Sequence, residues 1–224
     1  MHQKLNPRST HLPVRDGVVY VVDDDEAIRD SLALLLNANG FRVSCHENAE
    51  RFLQALHSSD QHSLSCVLLD IQLGGISGID LHNTLIKMDL NIPVAFITGH
   101  GEITSAVDAL KKGAVDFIQK PIKEDLLCNL VSAMLSKAYL DKAQQQELDQ
   151  INHKFKLLTL REVQVLDRIV AGRINKQIGA DLDISVKTVE AHRAKIMEKL
   201  KVNRPAMLLQ IALKYQEAKS QGLI

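Results

Sequence analysis

The stretch Tyr20-Val-Val-Asp-Asp-Asp-Glu26 constrains this chain more than any other. It reads as a buried strand that delivers a run of carboxylates to its C-terminal end. Four more short apolar runs, at 42–45, 66–69, 94–97 and 117–119, join 18–22 as strand candidates. Amphipathic helical patterns follow them near 27–38, 49–56, 79–88, 103–112 and 123–137, with Gly40 and Gly113 where helices are expected to end. Strands and helices alternating at these lengths predict an α/β domain, a five-stranded parallel sheet wrapped by helices on both faces. In such sheets functional groups gather outside the C-terminal strand ends.

At 224 residues the chain is long enough for two small domains with separate cores. Its formal net charge of zero hides a split. Residues 17–137 carry 16 acidic against 9 basic side chains, and residues 151–219 carry 14 basic against 7 acidic. That is −7 in one half and +7 in the other, which predicts a metal-binding half and a polyanion-binding half. Cys45, Cys66 and Cys128 are few, widely spaced and set in apolar elements, the usage of small core residues in a reducing compartment. No apolar run approaches the ~20 residues that span a bilayer, and residues 1–16 read as a loose tail without the apolar core of a signal peptide. A soluble cytoplasmic protein with no membrane partner is expected.

The strand tips carry chemistry. Asp23 and Asp24 end the first strand, Asp70 the third, Thr98 the fourth and Lys120 the fifth. Carboxylates gathered there repel one another unless a cation relieves them, and Mg²⁺, a hard ion with oxygen ligands, is the natural filler. Asp24 and Asp70 are expected as direct ligands, Asp23 as a water-mediated or second ligand, and the Gln72 backbone carbonyl as a further contact. Asp70 is then a nucleophile for phosphoryl transfer. Lys120 and the metal neutralise the phosphoryl charge, and Thr98 offers a hydroxyl to one of its oxygens. Asp25 and Glu26 are expected only to cap the following helix.

Residues 138–152 are polar and glutamine-rich, and read as a helical linker that continues the preceding helix. Residues 153–224 are all helical in pattern. Thr159-Leu-Arg-Glu162 is a capping box, Ser185 an N-cap, and Pro205 a favoured first-turn residue. Two short helices joined at Asp183-Ile184-Ser185 make a helix-turn-helix that begins at Asn175 and ends at Ala194. In its second helix Val186, Val189, Ile196, Met197 and Leu200 are expected in the core. Lys187, Thr188, Glu190, His192, Arg193 and Lys195 are left for the groove of double-stranded DNA. Lys187, Arg193 and Lys195 suit phosphates or guanine edges, and Glu190 suits cytosine N4. His192 reads a base or orients the helix. In the last helix Met207, Leu208, Ile211, Ala212 and Tyr215 either all close the small core, the preferred reading, or divide between the core and a dimer face for a two-half-site operator.

With these motifs in hand, residues 18–133 resemble the receiver domain of two-component response regulators, through Val-Asp-Asp-Asp, Leu-Leu-Asp70, Ile-Thr98-Gly-His-Gly and Phe-Ile-Gln-Lys120-Pro121. Thr98-Gly-His-Gly and Gly113-Ala-Val-Asp-Phe117 look most like the FixJ type. Residues 153–218 resemble the LuxR-type DNA-binding domain. The resemblance implies a flavodoxin-like sheet order and phosphorylation of Asp70 by a sensor histidine kinase. It also implies a switch through Thr98 and Phe117, a homodimer on a two-half-site promoter, and work with RNA polymerase, most relatives being activators. No enzyme activity is expected beyond the chain's own phosphoryl acceptance and hydrolysis.

Two positions depart from the family pattern. Leu73-Gly74-Gly75 stands where Met-Pro is usual, which predicts a looser loop, weaker Mg²⁺ affinity or a shorter-lived phosphoryl group. Gly179 stands where alanine is usual and predicts a softer helix. Other functions fit less well. Haloacid-dehalogenase-like phosphatases need a second acid where this chain has Gln72. A constitutive DNA binder leaves the acidic pocket without a purpose, and the ligand domain of a quorum-sensing regulator would lack that pocket.

Overall fold

The structure is a computed structural model that describes residues 17–58, 64–99 and 110–224. The expected tail 1–16, most of the expected helix 103–112, and His100 and Gly101 lie outside the described residues. The chain divides into two compact units, Met1–Asp141 and Lys142–Ile224.

In the first unit β1 (Val18–Val22), β2 (Arg42–His46), β3 (Ser65–Asp70), β4 (Val94–Thr98) and β5 (Asp116–Gln119) form one parallel sheet in the order β2-β1-β3-β4-β5. The strands alternate their side chains between two cores. Tyr20, Val22, Val67, Leu69, Val94 and Phe96 pack on one face with Phe52 of α2 (Ala49–Ser58) and with Leu81 and Leu85 of α3 (Gly78–Lys87). Val19, Val21, Cys66, Leu68, Ala95 and Ile97 pack on the other. There they meet Leu32 and Leu36 of α1 (Glu26–Ala38) and Leu127, Val131, Met134 and Leu135 of α4 (Glu124–Lys156). Both faces are covered, which is why β1, β3 and β4 are apolar without alternation. Helix α1 opens on Asp25, whose Oδ1 accepts from the amides of Ala27 and Ile28. It closes at Asn39, and Gly40 follows at φ 83°, a turn that a Cβ would strain.

Helix α4 runs without a break to Lys156. Residues 143–147 are exposed, and Leu148, Ile151 and Phe155 are buried. No helix among the described residues is long and apolar enough to cross a membrane.

The second unit holds α5 (Leu160–Val170), α6 (Asn175–Leu182), α7 (Val186–Lys199) and α8 (Pro205–Ser220). Val165, Leu166, Ile178, Val189, Ile196, Leu200, Leu208 and Ala212 form its core together with Ile151 and Phe155. Phe155 stacks on Tyr215 at 3.9 Å between ring centroids and 12° between planes. Two expected core residues stand outside it: Val186 and Met207 are 43% and 44% exposed. Each lies in the first turn of its helix, at the rim of a core too small to reach it. Gly179 has a packing reason. A Cβ there would lie 2.7 Å from the Ile184 carbonyl, so the turn into α7 sits directly against the backbone of α6. Alanine at this position requires the turn to sit farther out.

Candidate functional site

Strand register assembles the acidic site. Val22 of β1 lies opposite Leu69 of β3, so the next residues, Asp23 and Asp70, emerge side by side. Asp70 lies opposite Ile97, and Thr98 follows it on β4. The Lys120 amide donates to the Thr98 carbonyl at 2.8 Å, which ties the end of β5 to the same edge. Lys120 precedes Pro121 through a cis peptide bond.

Asp23, Asp24 and Asp70 each bring a carboxylate oxygen within 4.8 Å of the other two, close enough that one cation could contact all three. Asp23 is fully buried, Asp70 nearly so, and Asp24 is exposed. The Lys120 ammonium donates to Asp23 Oδ2 at 3.0 Å and to Asp70 Oδ2 at 3.3 Å. Burial, and then the neighbouring Asp23 charge, push the Asp70 carboxyl up to about 6, against the pull of Lys120. Burial works against the Lys120 ammonium too. The hydrogen bond to Asp23 and the charges of both carboxylates outweigh it and hold the lysine above its ordinary pKa.

Thr98 is fully buried and its hydroxyl donates to the Gly99 carbonyl at 3.3 Å. Phe117 is half-buried against the core on the α3 face. Gln72 is exposed in the loop after β3. That loop is closed at its base, where the Gly78 amide donates to the Ile71 carbonyl at 2.9 Å. Gly75 within it has φ +137°, a conformation that demands glycine.

Two residues that no motif singled out bear on the site. A Cβ on Gly78 would fall 2.0 Å from the Asp70 carbonyl oxygen, so the start of α3 can pass beneath the acceptor strand only as glycine. Arg29, one turn into α1, donates from Nη1 to the Asp23 carbonyl at 2.8 Å. The only sequence signal for either is small: a glycine eight residues after the acceptor, and a cation six residues after the first carboxylate.

In the second unit the helix-turn-helix side chains sort by exposure. Lys187, Thr188, Glu190 and Lys195 are exposed, and His192 and Arg193 are half-buried. Ser185 Oγ accepts from the Thr188 amide at 3.1 Å and lies 2.8 Å from the Thr188 hydroxyl, so Thr188 completes the N-cap of α7. The His192 Nδ1 is buried and has no hydrogen-bond partner among the described residues, whichever role its ring takes. Beneath α7 the ion pair of Lys199 with the buried Glu162, at 2.6 Å, ties the helix to the capping box of α5.

Comparison with known proteins gives the two units their families. The response regulator receiver domain family matches residues 19–132, and the luxR family of bacterial regulatory proteins matches residues 156–212. The chain is 39% identical to the transcriptional regulatory protein FixJ of Rhizobium meliloti over 198 residues, 88% of this chain and 96% of FixJ. It is 35% identical to the response regulator protein TmoT of Ectopseudomonas mendocina over 208 residues, 93% of either protein. The solved structure of the response regulator StyR, at 37% identity, matches with a TM-score of 0.81 over 89% of this chain and 100% of that one. The chain therefore belongs to the two-component response regulators of the FixJ type, in which a receiver domain is joined to a LuxR-type DNA-binding domain.

Proposed function

We propose that Asp70 accepts a phosphoryl group from the phosphohistidine of a sensor histidine kinase. The modified chain then pairs as a homodimer on a two-half-site promoter and acts there in the cytoplasm, with RNA polymerase, as an activator. The observation that carries this reading is the Lys120 ammonium held between Asp23 and Asp70, at 3.0 and 3.3 Å, inside a cluster of three carboxylates.

Mg²⁺ suits this donor set, because three clustered carboxylates and a raised Asp70 pKa describe an anionic site in want of a hard cation. Asp23, Asp24 and Asp70 would hold it with the Gln72 backbone carbonyl, and when bound it neutralises charge on the transferring phosphoryl oxygens. The side chains do the rest. An Asp70 carboxylate oxygen forms the new P–O bond as the P–N bond of the donor breaks, and the imidazole nitrogen leaves with the electron pair. Lys120 attracts the phosphoryl oxygens, and the Thr98 hydroxyl turns from the Gly99 carbonyl to one of them. That movement draws Phe117 inward and couples the site to the β5 edge. Attack by water later restores the Asp70 carboxylate and releases inorganic phosphate. On DNA, Lys187, Arg193 and Lys195 engage phosphates or guanine edges, Glu190 and Thr188 lie along the groove, and His192 reads a base or orients the helix.

The test is an intact-mass measurement after incubation with Mg²⁺ and acetyl phosphate. A phosphoryl adduct is expected on the wild-type chain and not on Asp70→Asn. An adduct on neither, in a wild-type chain that binds no Mg²⁺, would remove the phosphoryl switch and leave a constitutive DNA binder.

A further inference from the structure

Arg29 is a half-buried cation one turn into α1 whose guanidinium has turned back toward the acidic site. Its Nη1 donates to the backbone carbonyl of Asp23 at 2.8 Å, a charge-assisted bond of the stronger kind. The surrounding turn is tied in several other places. The Asp23 amide donates to the His46 carbonyl at 3.2 Å, and the Asp25 amide donates to Asp23 Oδ1 at 2.9 Å. Asp25 in turn caps α1. These bonds fix the Asp23 side chain and the start of the helix. None of them grips Asp24, whose carboxylate is the exposed member of the cluster.

Arg29 supplies that grip indirectly. A peptide unit is planar, so the Asp23 carbonyl oxygen shares a rigid plane with the Asp24 nitrogen and Cα. Holding the oxygen resists rotation of that plane and so restrains where Asp24 Cα, and the side chain it carries, can sit. Gly74 faces Asp24 with no side chain of its own, and a Cβ there would lie 3.7 Å from Asp24 Oδ2. The turn therefore has to set the aim of Asp24 from behind.

We infer that Arg29 is a positioning residue of the acidic site, holding the Asp23–Asp24 peptide plane so that the Asp24 carboxylate meets the cation. The inference rests on the proposed Mg²⁺-dependent receiver chemistry and names a residue through which this chain tunes it.

The test is calorimetric titration of the full-length chain with Mg²⁺, for wild type, Arg29→Ala, Arg29→Lys, Asp24→Asn and the double variant. Arg29→Ala is expected to weaken Mg²⁺ about tenfold, and Arg29→Lys, which keeps a cationic donor, to recover a large part of that. In the Asp24→Asn background the same Arg29→Ala change is expected to cost less than twofold, because the carboxylate it aims is gone. A general loosening of the fold would cost the same in both backgrounds, and that result overturns the inference. So does an Arg29→Ala affinity within twofold of wild type. A wild-type chain that takes up no Mg²⁺ overturns the receiver chemistry itself, and this inference with it. Wild-type binding with an unaffected variant overturns the inference alone.

Discussion

Asp70 is held in a state that costs the fold stability. Its carboxyl, pushed from 3.8 up to about 6 by burial and then by Asp23, binds protons more tightly folded than unfolded. Between those two values the folded state carries more protons, so unfolding free energy falls as pH rises through the window. Above about 6 the full cost is present, and below 3.8 it vanishes. In a chelator near pH 7.5, Asp70→Asn should stabilise the sheet by about 1–3 kcal/mol, with the gain fading toward pH 4. Hydrogen exchange of the β1 and β3 amides reads this directly. A variant no more stable than wild type at the higher pH would mean that Lys120 already compensates the charge. The carboxylates and Lys120 were legible in the sequence because each ends a recognisable strand. Arg29 and Gly78 were not. One acts through a backbone carbonyl and the other through the absence of a Cβ, and neither leaves a periodic trace.

Helix ends decide the second unit. Thr159 and Glu162 exchange both bonds of a capping box, and the same buried Glu162 accepts from Lys199 of α7 at 2.6 Å. Burial works against the Glu162 charge. The Lys199 hydrogen bond, and then the bonds from Thr159, overcome it and hold the pKa below the ordinary 4.5. The stability gained is therefore present above pH 4.5 and is lost as pH falls through the lower folded value. Glu162→Gln keeps the geometry of the cap but removes the charge. It should lower the protection of α5 and α7 amides near pH 7 by about 1–3 kcal/mol, less than a fully buried pair would lose because Lys199 is partly exposed. Protection equal to wild type would show that the cap alone holds α5. At this scale the sequence was a good guide: Thr159, Ser185 and Pro205 opened helices where capping chemistry placed them. Periodicity overreached at Val186 and Met207, because a helical stripe does not reveal how far a small core extends. It also missed that Gly179 makes room for the turn at Ile184, a contact between segments that no local pattern encodes.

Across the whole molecule, charge separates the two activities, with −7 over residues 17–137 and +7 over residues 151–219. A phosphoryl group on Asp70 adds negative charge to the half that is already acidic. Coulomb attraction to DNA cannot grow from that, so any gain in affinity has to come from a change of assembly or state. Assembly leaves a thermodynamic trace. If Lys187, Arg193 and Lys195 each neutralise one phosphate, a single DNA-binding unit should give a slope of log K against log salt of about −2.7, and a pair on two half-sites about −5.4. The slope should therefore roughly double when the full-length chain is treated with beryllofluoride, a stable mimic of the aspartyl phosphate, and titrated onto a two-half-site duplex. If affinity rose at an unchanged slope, phosphorylation would be releasing a single unit already competent to bind, and the paired complex would not be the active form. Because the slope counts the phosphates neutralised and not the bases read, it distinguishes these two routes whatever the operator sequence contributes to absolute affinity.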